Sequence, residues 1–196
     1  MTVQTMIQGH PAEAVHLASD AVATLTDELR QRRGPALVVS GALHLYAAQA
    51  AARAEDPAES FGHLRAATAA ADELRVDRED YSLFFGPTNL GIQETGILVD
   101  LTDPVAALRR ARGVSPERLP SVNRQAYYHL HRSRAYVLRR QDREAVDSLF
   151  AAERVAPEQV QWDPMAREAV RAMLERERRV LNPRLRELAE RLALNA

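Results

Sequence analysis

Residues 126–157 read AYYHLHRSRAYVLRRQDREAVDSLFAAERVAP. Small and apolar residues recur here at spacings of three, four and seven, which places them on one face of a helix. The stretch divides in two. Ser133 stands twelve residues before Ala145, and Tyr136 follows Ser133 by three. Ala145-Val146, Leu149 and Ala152 form a second stripe, and Pro157 closes the unit five residues later. Small side chains facing each other across twelve residues let two antiparallel helices lie close.

The same stripe recurs. Ala14-Val15 is followed by Ala18 and Ala21, Ser60-Phe61 by Leu64 and Ala67, and Ala107-Leu108 by Ala111 and Val114. The units start 46, 47 and 38 residues apart. Small, aromatic, small, apolar, small and proline at these spacings form the tetratricopeptide-repeat pattern, whose standard period is about 34 residues. The expected fold is therefore all-α: a right-handed superhelix of antiparallel helix pairs, about nine helices in one array over 1–196. Asp56-Pro57, Asp103-Pro104, Asp163-Pro164 and Asn182-Pro183 each set an N-cap acceptor before a proline suited to a first turn. With Gly34-Pro35 and Ser115-Pro116 they divide the chain near 10–33, 35–54, 57–75, 87–101, 103–113, 121–140, 142–155, 163–180 and 182–194. No segment alternates with period two for long enough to read as a strand. The first unit has its second helix, with Met1–Gln8 alone in place of its first, so the array is expected to begin mid-repeat. At the other end 163–196 reads as capping helices, with Arg186 where a small residue would pack.

Composition narrows the function. The chain has 196 residues, no Cys and a net charge of −1. Disulfides, thiolate metal sites and a Cys nucleophile are excluded. All 26 basic residues are Arg, against 27 acids, and near-neutrality argues against coating DNA or an anionic membrane. The balance hides an asymmetry: residues 1–98 carry 7 Arg and 13 acids, residues 99–196 carry 19 Arg and 14 acids. Complementary halves permit two-fold or head-to-tail association, including a homodimer. The apolar stretch Ala36–Ala52 is mostly alanine and includes Ser40, His44 and Gln49, so it reads as a buried helix rather than a membrane span. The N-terminus has no signal pattern, and a cytoplasmic protein is expected.

Phe85-Gly86-Pro87-Thr88-Asn89, Val99-Asp100-Leu101-Thr102-Asp103, Arg118-Leu119-Pro120, the run from Ala145 to Val160, and Leu185-Arg186-Glu187-Leu188-Ala189 resemble one family over about residues 40–195. It is the C-terminal tetratricopeptide-like region of actinobacterial helix-turn-helix regulators of the XRE type. The resemblance is specific in Phe85–Asn89 and generic elsewhere. It implies a region that senses a ligand or mediates assembly, attached to an N-terminal DNA-binding domain. No helix-turn-helix segment is found in this chain, so DNA would be reached only through a domain absent from it.

The residues hold no HExxH, Walker A, GxSxG or GxGxxG pattern. His129 and His131 point about 200° apart on a helix and cannot share a metal. No enzyme, metal or cofactor is expected. Asp77-Arg78-Glu79-Asp80 reads as a solvated turn. The first helix of each pair in such arrays lines the concave side, which here selects Ala42, Leu45, Gln49 and Arg53, then Asn89, Ile92, Gly96 and Val99, then Tyr127, Leu130, Arg134 and Val137. Gln49, Arg53, Asn89, Ile92, Tyr127 and Arg134 are the candidate groove residues, for a peptide, small molecule or protein partner. Arg53 and Arg134 would suit an anionic group such as a peptide carboxylate. The alternative is a stand-alone adaptor between proteins.

Overall fold

The computed structural model describes residues 11–31, 33–176 and 183–194. Met1–Gln8, His10 and Asn182 lie outside the described residues. The described chain is mostly helical: α1 Pro11–Ala23, α2 Thr26–Arg30, α3 Gly34–Arg53, α4 Pro57–Leu74, α5 Pro87–Asp100, α6 Pro104–Ala111, α7 Val122–Leu138, α8 Asp142–Val155, α9 Pro157–Trp162, α10 Pro164–Arg176 and α11 Pro183–Arg191.

Consecutive helices fold back on one another as α3 with α4, α5 with α6 and α7 with α8. The residues twelve apart do meet in the core. Ala48 and Ser60, Thr95 and Ala107, and Ser133 and Ala145 are all 0% exposed. The Ser60 hydroxyl donates to the Ala48 carbonyl at 2.8 Å, so the small pair is also a hydrogen-bonded cross-link. First helices then pack on first helices, α3 on α5 and α5 on α7, while α1 packs on α3 and α10 on α7. The largest cluster joins Leu149, Val170, Met173, Leu185 and Leu188 under the last helices. On α11 the buried face is Leu185, Leu188 and Ala189, with Arg186 and Glu190 exposed opposite.

The turns inside the pairs repeat as closely as the helices. After α3, the Asp56 amide donates to Ala51 O and Glu55 to Ala52 O. After α5, Asp103 donates to Leu98 O and Thr102 to Val99 O; after α7, Gln141 donates to Tyr136 O and Arg140 to Val137 O. This double bond closes a helix with a left-handed residue, usually glycine. Here the residues are Glu55, Thr102 and Arg140, at φ 58°, 58° and 57°. They lie 47 and 38 residues apart, the spacing of the last three sequence units. The expected caps are present too. Asp56 accepts from the Glu59 amide at 3.0 Å, Asp103 from Ala106 at 2.9 Å and Asp163 from Met165 at 2.8 Å. Each such cap contributes about 1 kcal/mol.

The structure departs from the sequence expectation in four places. The single helix expected over 10–33 is broken at 24–25, where the hydroxyls of Thr24 and Thr26 donate to Ala21 O and Ala23 O and compete with the helix ladder. A 3₁₀ turn forms at Pro116–Arg118, and α9 is an additional short helix. The fourth is a β-hairpin where a solvated turn and no strand were expected. Strand β1 Arg78–Asp80 pairs antiparallel with β2 Leu83–Phe85, Arg78 opposite Phe85. Its two-residue turn, Tyr81-Ser82, has φ of 53° and 62°. Phe85 is 0% exposed and presses its ring where a side chain on Gly41 of α3 would stand. Gly86 has φ 155°, and a Cβ there would come within 2.4 Å of Asp77 Cα, so only glycine fits.

Helix α3 is long and apolar enough to cross a bilayer by length and composition, and most of that stretch is buried inside the fold, against α1, α4 and the hairpin.

Candidate functional site

Helices α3, α5 and α7 share one face, and two clefts open on it. The first, about 420 Å³, lies where these three helices end and α10 crosses. Its floor is Asp100, the last residue of α5. The Asp100 carboxylate accepts from Arg134 Nη2 at 2.7 Å, and Arg53 Nε stands 3.8 Å from its other oxygen. Asp100 needs both cations, because its side chain is only 9% exposed and its charge lies against the negative end of its own helix. Arg134 also reaches Met165 Sδ of α10 at 3.8 Å. One carboxylate thus ties α3, α5, α7 and α10 together.

The second cleft, about 630 Å³, lies between the β-hairpin and the start of α7, lined by Tyr46, Glu79, Phe84, Arg124 and Tyr127 among others. A small recess of about 10 Å³ adjoins it, walled by Gln49, Asn89, Gln93 and Arg124. Asn89 is held from both sides. Its amide and that of Thr88 donate to Asp77 Oδ1 at 3.0 and 3.1 Å, and its side-chain Nδ2 donates to Phe84 O at 2.9 Å. Asp77 therefore caps α5 from the hairpin rather than standing in a solvated turn. Asn89 Oδ1 is buried without a partner. Burial holds the Tyr127 phenol above its ordinary pKa, with Asp163 adding to the effect. His131, fully enclosed between the clefts, is pushed down to about 3 by burial and then by Arg134, Arg124 and Arg53. It is neutral at physiological pH and adds no charge to this face.

Five of the six residues selected from the sequence fall into three groups, and Ile92 into none. Arg53 and Arg134 converge on Asp100; Gln49 and Asn89 meet at the recess; Tyr127 lines the hairpin cleft. Ile92 does not reach the face. It is 0% exposed and packs with Ala111, Val114, Leu119 and Tyr128. Of the Asn89, Ile92, Gly96 and Val99 line expected on α5, Asn89 and Val99 reach the clefts, joined by Gln93 and Asp100 one step past Ile92 and Val99, while Gly96 lies against the His131 ring. Leu130 is likewise buried, whereas Val99, though buried, lines the Asp100 cleft. Asp100, Gln93, Arg124 and Glu168 are the polar groups that sequence reading passed over. For Gln93 and Asp100 a signal was available, since each is a polar residue one step past an apolar groove position, Ile92 and Val99.

Away from this face, His44 and His63 bring their Nδ1 atoms to 3.0 Å, with Glu59 3.3 Å from His63 Nε2. No group of three or more metal-binding side chains occurs among the described residues. No family model, curated protein or solved structure matches the chain.

Proposed function

We propose that this chain is a tetratricopeptide-like superhelix of helix pairs serving as the ligand-sensing or assembly region of a transcriptional regulator. Its ligand, a peptide or small molecule, binds in the cleft over Asp100. The observation that carries the reading is the convergence of Arg53 and Arg134, from two helix pairs, on a carboxylate from a third, inside a cleft of ligand size. A ligand seated over this junction changes how the pairs hold together. Preference for one arrangement shifts the population of both, and that shift is the signal passed to a DNA-binding domain outside this chain. The repeated turns and the buried small pairs support the tetratricopeptide-like reading.

The complete reading frame and a mobility-shift assay on the protein it encodes test the role. A helix-turn-helix upstream of Met1, and DNA binding altered by mutation of Arg134, are the expected results. A frame that starts at Met1, encoding a protein that neither binds DNA nor joins a DNA-binding partner, would leave the adaptor reading.

A further inference from the structure

The charge of the Asp100 cleft selects its ligand. Its walls carry two cations, Arg53 and Arg134, and three anions, Glu55, Asp100 and Glu168. The two cations are already turned to Asp100. Glu55 and Glu168 have no ion-pair partner among the described residues, and both are exposed at the rim. Yet helices α3, α5 and α7 end here, at Arg53, Asp100 and Leu138, while α4, α6 and α8 each begin four residues later and α10 begins at the cleft wall, so the partial charges of the helix ends offset and the side chains set the sign. His131 behind the wall stays neutral. The remaining wall is apolar: Ala52, Val99, Val137, Leu138 and Ala172.

Resting on the reading of this cleft as the ligand site, we infer that it takes a small organic cation, an alkylammonium group on a short apolar chain, and not an anion. The chain lies on the apolar wall, while the ammonium meets Glu55 and Glu168. This reverses the expectation drawn from Arg53 and Arg134 alone, because the three carboxylates of the cleft outnumber its two guanidinium groups.

Two probes of equal length and opposite charge, hexylammonium and hexanoate, separate the possibilities. Each is titrated into the protein at low salt, with backbone amide resonances of residues 52–55, 99–102, 134–138 and 165–172 followed by NMR. Saturable shifts with hexylammonium, and affinity for hexanoate at least about tenfold weaker, are expected from the charge balance. The Glu55→Gln, Glu168→Gln double variant should weaken hexylammonium by about fivefold, the size of two exposed ion pairs, and 0.5 M salt, where the Debye length is only about 4 Å, should erase most of that difference. Hexanoate binding as tightly as hexylammonium in this cleft would overturn the cation assignment while leaving the cleft as the ligand site. If neither probe moves these resonances, both the assignment and the cleft reading fall.

Discussion

Replacing Asp100 with Ala removes the carboxylate that three helices share. The Asp100 side chain is 9% exposed, that of Arg134 25%, and they meet at 2.7 Å. Breaking a fully buried pair costs about 3–5 kcal/mol, and an exposed pair contributes about 0.2–1 kcal/mol. This pair lies between, near 2–2.5 kcal/mol, by interpolation of those limits. Removing a negative charge from the end of α5 returns about 0.5 kcal/mol. Asp100→Ala should therefore destabilise the fold by about 1.5–2 kcal/mol, a fall in Tm of roughly 4–7 °C for a chain of this size. Trp162 is 72% exposed and a poor reporter, so helix ellipticity at 222 nm is the probe. The cycle is completed by Arg134→Ala and by the double variant, in which neither charge is left alone. A coupling energy of about 1–1.5 kcal/mol is expected for a half-buried pair. Additivity within about 0.5 kcal/mol would refute the shared carboxylate as a device holding the pairs together.

Three further outcomes follow from other parts of the fold. Gly86→Ala places a Cβ 2.4 Å from Asp77 Cα at φ 155°, so a loss of more than about 2 kcal/mol is expected, read by urea unfolding, together with loss of the slowly exchanging hairpin amides. Thr102→Gly relieves a β-branched residue at φ 58°. The strain of about 1–2 kcal/mol exceeds the added unfolded-state entropy of about 0.4–1 kcal/mol, and a Tm gain of roughly 1–4 °C by calorimetry checks it. His131, at about 3 in the fold, binds a proton more readily once unfolded. Its stabilisation is whole above pH 6.5 and declines as pH falls from there toward 3, with a slope of about 1.4 kcal/mol per pH unit. His131→Asn should flatten urea midpoints between pH 6.5 and 4.5 relative to the parent chain.

Helices, caps and the close small pairs were legible because each depends on local residue type. Asp-Pro announces a first turn, and Ser133 with Ala145 announces a close approach whatever surrounds it. The hairpin was hidden for equally physical reasons. Arg78-Glu79-Asp80 has little β-propensity, and the turn Tyr81-Ser82 uses left-handed backbone without the Asn or Gly that normally marks it. What holds it is tertiary: Phe85 buried against Gly41, and Asp77 capping α5. The groove was half legible. Arg53 and Arg134 were placed by helical spacing alone. The rotation of α5 that buries Ile92 and opens Gln93 depends on packing against Val114 and Tyr128. Asp100, the carboxylate to which both arginines turn, lies one step past the Val99 groove position.

The claim that one face of α3, α5 and α7 is the binding face is tested most directly by a fragment screen of mixed charge, mapped by amide shifts over the whole chain. Hits are expected to concentrate around Arg53, Asp100, Arg134 and Met165, and to weaken in the Glu55→Gln, Glu168→Gln variant while the fold persists. Hits scattered over the surface, or gathered on the outer helices α4, α6 and α8, would contradict it.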